Sequence, residues 1–166
     1  MRKYQSVSIF NKIANQIEDF NISNISKEKW NSEYEAISMQ VNDVKIKSRL
    51  AKKTNKKKGQ FLSVWTKDDE NKNRSFTFKE IEELLVVNII EGRYYGQFVF
   101  PKMILLKQQI LMTTENKGKM AFRVYPPWDK DLNNTAAKTQ KWQNNYFVDL
   151  TTNIDKNKIK KLYNLN

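Results

Sequence analysis

The sequence contains no histidine and no cysteine, and it has only four glycines among its 166 residues. Without histidine or cysteine the chain cannot form a Ser-His-Asp or Cys-His nucleophile, a thiolate or HExxH metal site, or a disulfide. The glycines are too widely spaced to form a loop that holds nucleotide phosphates. Catalysis by carboxylates with a hard cation, by lysine or by tyrosine remains open, as does binding without catalysis.

Long apolar runs are also missing. No segment approaches the roughly 18 apolar residues of a membrane span, and polar residues interrupt the first sixteen positions too often for a signal peptide. We therefore expect a cytoplasmic protein without stable membrane insertion. A chain of 166 residues with 39% hydrophobic and 12% aromatic residues is typical of one domain over 1–166 with a single core.

Positive charge is abundant and concentrated in one segment. The chain has 30 lysines and arginines against 18 acidic residues, a formal net charge of +12. Residues 44–67 hold nine basic residues and no acidic residue, whereas residues 68–92 have a net charge of −4. Charge placed in this way favours an anionic partner, either nucleic acid or a lipid surface.

The hydrophobic pattern predicts an α+β fold. Helical spacing or a helix-starting residue predicts helices near 9–20, 28–40, 77–84, 101–109 and 134–147, with a helix or disorder at 156–162. Alternation or continuous apolar runs predict strands near 44–50, 60–66, 85–90, 95–100 and 120–125. We expect a single largely antiparallel or mixed five-stranded sheet flanked by helices.

Residues 44–66 are predicted to form a β-hairpin with a basic outer face. Apolar or small residues alternate with basic ones over 44–50, and a turn-forming cluster at 54–59 leads to the second strand. Such a row of charge can follow a phosphate backbone, and a two-stranded ribbon fits a major groove. The alternative is a solvated outer face. The candidate binding residues are Lys45, Lys47, Arg49, Lys52, Lys53, Lys56, Lys57, Lys58 and Lys67.

Residues of the C-terminal half extend the candidate surface. Trp128 follows two prolines, and Trp142 lies on a basic, amide-rich helix, so each either stacks on exposed bases or packs in the core. The candidates for further phosphate or base-edge contacts are Lys102, Arg123, Lys138, Gln140 and Lys141.

Four blocks of residues, in the right order and spacing, resemble one known family. They are RLAKKT at 49–54 with KKGQF at 57–61 and Trp65, GQFVFPK at 96–102, RVYPPW at 123–128, and AKTQKWQ at 137–143 with Tyr146 and Phe147. Over about residues 33–148 the chain therefore resembles the MepB family, small bacterial proteins named for a multidrug-efflux gene cluster. A basic tail, 151–166, follows this core. The resemblance implies a cytoplasmic protein but no defined activity.

The order of elements is similar, more weakly, to the core of restriction-endonuclease-like proteins. A nuclease of that kind needs two carboxylates and a lysine around a divalent cation. Neither 60–67 nor 86–90 contains a carboxylate. An acidic residue two positions before a lysine, the spacing such sites use, occurs at Asp43-Val44-Lys45 and Glu115-Asn116-Lys117. The first of these precedes a strand, and the second lies in a turn.

The sequence therefore favours a non-catalytic nucleic-acid-binding protein that contacts mainly phosphates. It assigns no catalytic residue, no metal ligand and no cofactor, and it leaves DNA or RNA, strandedness and oligomeric state open. A divalent-metal-dependent nuclease is the first alternative. An accessory protein of a multidrug-efflux system, with its basic patch on anionic lipid, is the second.

Overall fold

The computed structural model describes residues 3–165, which form eleven strands and four helices. Residues 1, 2 and 166, at the ends of the predicted domain, lie outside the described residues. The helices are α1 Ser6–Gln16, α2 Lys102–Lys107, α3 Asn134–Gln143 and α4 Lys156–Leu162. The strands are β1 Ile22–Lys27, β2 Ile37–Val41, β3 Val44–Leu50, β4 Lys52–Lys53, β5 Gln60–Ser63, β6 Trp65–Lys67, β7 Asn73–Ser75, β8 Leu84–Glu91, β9 Tyr94–Pro101, β10 Ala121–Val124 and β11 Phe147–Asp149.

Six strands form the main sheet, in the order β1-β2-β3-β8-β9-β11. Strands β3 and β8 are parallel, and every other neighbouring pair is antiparallel. The central strand β8 is buried continuously over residues 84–89, because both faces of the sheet are covered. The predicted α+β class and mixed sheet are confirmed, with six strands in place of the expected five.

The two faces of the main sheet hold separate apolar clusters. Helices α1 and α4 cover one face, where Phe10, Ile13 and Tyr163 pack on alternate residues of the sheet. The opposite face is covered by α2, α3 and a second sheet of three strands, ordered β10-β5-β4. Leu62 and Val124 of this small sheet point into the second cluster. Its opposite face is consequently directed away from the core.

The predicted helix at 28–40 is wrong. A single 3-10 turn at Ser32–Tyr34 separates β1 from β2. Asn31 and Glu35 flank this turn with φ angles of 66° and 48°, in the left-handed region that no helix uses. Contacts distant in sequence hold both bends. The Asn31 side chain donates to the Trp65 carbonyl at 2.7 Å, and the Glu35 carboxylate accepts from the Ser6 backbone at 2.8 Å.

The predicted hairpin at 44–66 is wrong as well. Strand β3 lies inside the main sheet, between β2 and β8, and does not pair with β5. Only β4 pairs with β5, through two residues on each strand, while β6 pairs with β7. An alternating pattern predicts a half-buried strand but does not identify its partner. The basic residues of the predicted hairpin are thereby divided among three sheets and the turn at 54–59.

Local helix signals are partly confirmed. The capping box forms, since the Thr77 backbone N–H donates to Glu80 at 2.9 Å and the Glu80 N–H donates to the Thr77 hydroxyl at 3.3 Å. Only one turn follows, because the apolar residues from Leu84 onward enter β8. Helix α1 begins after Gln5 without a serine cap, and Glu35 accepts from its first N–H groups instead.

Candidate nucleic-acid interface

An aromatic ring flanked by two cations lies on the outer face of the three-stranded sheet. Lys52 of β4 and Arg123 of β10 both stand opposite Phe61 of β5 in the strand register. The Arg123 guanidinium carbon is 5.6 Å from the centroid of the Phe61 ring. Phe61 in turn meets the Tyr34 ring at 6.0 Å, and the Lys52 ammonium lies 5.7 Å from the Tyr34 centroid. Burial raises the pKa of the Tyr34 hydroxyl, and the charge of Glu33 adds to this effect.

The turn at 54–59, here called the basic loop, rises beside this face. Arg123 fixes it with two hydrogen bonds, donating to the Lys58 carbonyl at 3.2 Å and to the Thr54 hydroxyl at 2.6 Å. Gly59 ends the loop with a φ of +79°, and the Tyr125 ring occupies the space where a Cβ atom would stand. The loop backbone is thus held in place, while the side chains of its three lysines are exposed.

Two open cavities adjoin the basic loop. One, of about 470 Å³, lies between Lys56, Arg123 and the first turn of α3. The other, of about 310 Å³, lies between Lys53, Lys58 and the segment around Trp128. The lining of both includes Lys57 and Lys58. The lysines therefore form the ridge between two concave surfaces.

Two carboxylates lie in the smaller cavity. Glu91 pairs with the Lys53 ammonium at 3.2 Å and accepts from the Gln60 amide at 3.0 Å. Burial raises the pKa of the Asp129 carboxyl, and the charge of Glu91 adds to this effect. These acids partly offset the positive potential at this side of the loop.

The basic residues of β3 do not join this surface. Arg49 has an exposed side-chain fraction of 0%, with its guanidinium 2.5 Å from the Glu28 carboxylate and its Nε donating to the Ser63 carbonyl at 3.0 Å. Lys47 pairs with the same Glu28 carboxylate at 3.2 Å. The prediction that Arg49 lies on an outer face is corrected, because β3 is an inner strand and this face carries the second sheet.

Lys45 and Lys102 lie at the other end of the main sheet. The Lys45 backbone N–H donates to the Glu83 carboxylate, and the Lys102 N–H donates to the Glu83 carbonyl, beside the start of β8. The Lys102 ammonium covers the Phe78 ring at 4.3 Å. The basic loop adjoins Glu91 at the far end of β8. Eight residues of strand, roughly 26 Å, separate the two groups.

The C-terminal candidates are mainly structural. Gln140 donates to the carbonyls of Pro126 and Asp129 at 2.9 and 3.1 Å, which fixes the loop before α3. Trp128 stacks on Tyr94 with ring centroids 5.2 Å apart, and Trp142 packs against Phe100 in the second cluster. Lys138 and Lys141 are exposed on α3.

A groove of about 540 Å³ runs along the outer face of β5, and sequence reasoning missed it. Its walls carry the aromatic rings of Trp30, Tyr34, Phe61 and Trp65. This set is here called the aromatic groove. The Trp30 and Trp65 rings stack with centroids 5.8 Å apart and an interplanar angle of 27°. Lys67, which the sequence placed on the hairpin, lies 5.1 Å from the Trp30 centroid.

The two carboxylates considered for a metal site, Asp43 and Glu115, are both exposed in turns. The buried Glu35 carboxylate accepts hydrogen bonds from the Gln5 and Ser6 backbone N–H groups at the start of α1. Among residues 3–165, no three histidine, cysteine or acidic residues are grouped to hold a metal ion. Within the same residues, no helix has the length and apolar character needed to span a bilayer.

Comparison with known proteins identifies relatives of the chain. A family model described as MepB-like matches residues 28–149. A solved structure described as the crystal structure of MepB is 38% identical, with a TM-score of 0.80, and the match covers 91% of this chain and 100% of that chain. No curated protein matches. A bacterial homing endonuclease aligns at 10% identity and a TM-score of 0.44 over 83% of this chain and 84% of its own, a likeness too low to show a shared fold.

Proposed function

The chain belongs to the MepB-like family, and from the surface described above we propose that it binds nucleic acid by contacting backbone phosphates. The observation that carries the proposal is the position of the basic loop. Lys57 and Lys58 line both adjoining cavities and Lys56 lines the larger one, while Lys52 and Arg123 lie beside the loop on the three-stranded sheet. Five cations that converge in this way provide the charge that a phosphate chain requires.

The fixed backbone of the loop supports the same proposal. Arg123 and the carbonyls of Lys130 and Asp131 hold residues 54 and 58, so binding does not have to order the loop backbone. Lys56 and Lys57 project into solvent from this support. Mutual repulsion among adjacent lysines is relieved when phosphates lie between them. Affinity should therefore depend strongly on salt and weakly on base sequence.

Fluorescence anisotropy with labelled DNA and RNA tests the proposal. If about five cations contact duplex phosphates, log K falls against log salt with a slope near −4 to −5. Changing the three loop lysines to alanine should reduce this slope by about 3. Absence of binding to any nucleic acid at low salt, or a flat salt dependence, would contradict the proposal. Anionic lipid vesicles as competitors test the membrane alternative, which requires them to displace the nucleic acid.

A nuclease is the second candidate, on the observation that Glu91, Asp129 and Lys53 share one cavity beside the loop. Glu91 is already engaged by Lys53 and Gln60, which reduces its capacity to hold a cation. Incubation of the bound DNA or RNA with Mg²⁺ or Mn²⁺ separates the two functions. Binding without cleavage at high protein concentration agrees with the proposed function, and cleavage that is lost in Glu91→Gln supports the nuclease.

A further inference from the structure

We propose that the aromatic groove binds unpaired bases, so that the protein prefers single-stranded nucleic acid to duplex. The inference rests on the proposed function and specifies its ligand. The groove and the basic loop are parts of one surface, because Phe61 lines the groove and also lies under the Arg123 guanidinium. A strand whose phosphates follow the loop and Arg123 therefore brings its next bases over the groove.

The chemistry of the groove matches a base better than a phosphate. Four aromatic side chains line it, and base–aromatic stacking tolerates every base because each has a π-face. Bases inside a duplex already stack on one another and present only their edges in the grooves. Only an unpaired base can lie flat against Trp30 or Trp65. The groove thus discriminates by strandedness and not by sequence.

Charge around the groove indicates an anionic aromatic ligand. The Lys29 and Lys67 ammonium groups lie 4.9 and 5.1 Å from the Trp30 centroid, and Lys67 lies 5.4 Å from the Trp65 centroid. Lys52 lies over the Tyr34 ring at the same groove. Glu33 is the acidic residue in its lining. A base that stacks on Trp30 displaces an ammonium group from the ring face, and the phosphate attached to that base then pairs with it.

The polar groups in the floor of the groove already have hydrogen-bond partners within the protein. Asn31 donates to the Trp65 carbonyl at 2.7 Å and accepts from the Ser63 hydroxyl at 2.6 Å. These bonds join the 28–34 segment to β5 and β6, which holds the Trp30 and Trp65 rings in place. Because the polar groups of the floor are paired with each other, recognition depends on the rings and the surrounding cations.

The test compares a labelled oligothymidylate of about 12 nucleotides with a duplex of the same length, by anisotropy at fixed salt. We expect the single strand to bind about tenfold more tightly, equivalent to one stacked base. Trp30→Ala should remove most of this preference and leave duplex affinity within about twofold. Tyr95→Ala is the matched control, since Tyr95 is also a partly buried ring under a lysine, Lys12, but packs against the cluster that α1 covers.

Three outcomes would overturn the inference and leave the proposed function intact. They are equal affinity for single strand and duplex, equal loss for both ligands in Trp30→Ala, and saturation by thymidine monophosphate alone at the concentration that saturates with the oligonucleotide. Absence of binding to either nucleic acid would instead contradict the proposed function itself. A circular dichroism spectrum confirms that the variant is folded.

Quenching of tryptophan fluorescence provides a second measurement that needs no destabilising change. Oligothymidylate should quench the emission of the wild-type protein, and Trp65→Phe, which keeps an aromatic ring, should retain the affinity but lose part of the quenching. Inorganic phosphate should leave the emission unchanged. Oligonucleotide binding without any quenching would show that the strand does not reach the groove, and it would overturn the inference.

Discussion

The basic strand β3 and the basic loop differ in what their charges contact, although they are neighbours in sequence. In β3, Arg49 and Lys47 share the Glu28 carboxylate, and Arg49 is completely buried. In the loop, the lysine side chains stand exposed on a backbone fixed by Arg123. The first group of charges is compensated inside the protein, whereas the second remains open to an external anion.

The comparison shows that charge in a sequence locates a function only after pairing is known. Residues 44–67 carry nine basic residues without an acidic one, yet Glu28, sixteen residues before this segment, pairs with two of them. The positive surface is therefore smaller than the sequence suggests. It consists of the loop with Lys52 and Arg123, since Lys53 pairs with Glu91.

Removal of Arg49 should have the largest effect on stability. Within the described part of the chain, Arg49→Ala leaves Lys47 as the one cation paired with the Glu28 carboxylate and removes the Arg49 donor from the Ser63 carbonyl. We expect it to lower the free energy of unfolding by about 3–5 kcal/mol. Urea denaturation measures this loss. The control is the double variant Arg49→Met with Glu28→Gln, which removes both charges and should recover part of the stability. An unchanged unfolding midpoint for Arg49→Ala would show that this cation is not structural.

Loss of Arg123 should lower the affinity for nucleic acid more than it lowers the stability of the fold. Arg123→Ala removes one of the proposed phosphate contacts and the two hydrogen bonds that hold the loop, so we expect nucleic-acid affinity to fall about 20-fold. Arg123→Lys keeps the positive charge but cannot make both hydrogen bonds to the loop, so its affinity should lie between those of the wild type and Arg123→Ala. Anisotropy at fixed salt is the measurement. If the lysine variant binds like wild type, the hydrogen bonds to the loop do not contribute.

The Arg74–Glu80 ion pair is more exposed to solvent than the Arg49–Glu28 pair and should contribute less to stability. A hydrogen bond from Arg74 lowers the pKa of the Glu80 carboxyl to about 2, and the Thr77 N–H adds to the shift. Because the folded state favours the ionised Glu80 carboxylate, the pair stabilises the fold at neutral pH, and this contribution is lost as pH falls from about 4.5 toward 2. Since the Glu80 side chain is 37% exposed, solvent screening should limit the effect of Glu80→Gln to about 1 kcal/mol at pH 7. Unfolding curves of wild type and variant should converge near pH 2, and a constant gap at all pH values would contradict this.

Neutralising an acid beside the loop should improve binding slightly. Asp129 is desolvated and lies near Glu91, so Asp129→Asn removes a negative charge from the cavity that the loop lysines line. We expect affinity for nucleic acid to rise about two- to fivefold at low salt. The control is Asp149→Asn on β11, the same charge change at an exposed site outside the cavities described here. Equal gains in both variants would indicate an effect of net charge alone.

The strongly apolar elements could be predicted from the sequence because their signals are local. The apolar run predicted as a strand at 85–90 is β8, and its antiparallel partner β9 and strand β10 were also predicted. Residues 156–162, left open between a helix and disorder, form helix α4. Strand β1 was missed because five of its six residues are exposed, so its sequence shows no alternation of apolar and polar residues. Strand β2 was missed because Trp30, Tyr34 and Ile37 have helical spacing by coincidence.

The candidate surface was only partly predictable, for a reason of topology. The lysine cluster of the loop is contiguous in sequence, so composition alone located it. The aromatic groove joins the segment at 29–34 to β5 and β6 through the side chain of Asn31. No local pattern indicates that contact. The same applies to Arg49, whose partner Glu28 is brought near by the pairing of β1, β2 and β3.

The most direct measurement compares the salt dependence of binding for two triple variants with the same change in net charge. One replaces Lys56, Lys57 and Lys58 of the loop with alanine, and the other replaces Lys156, Lys160 and Lys161 of α4, on the opposite side of the main sheet. If the loop is the anion surface, the slope of log K against log salt falls in magnitude by about 3 in the first variant and stays unchanged in the second. Equal decreases in both would show that the protein's overall charge, and not the loop, attracts nucleic acid.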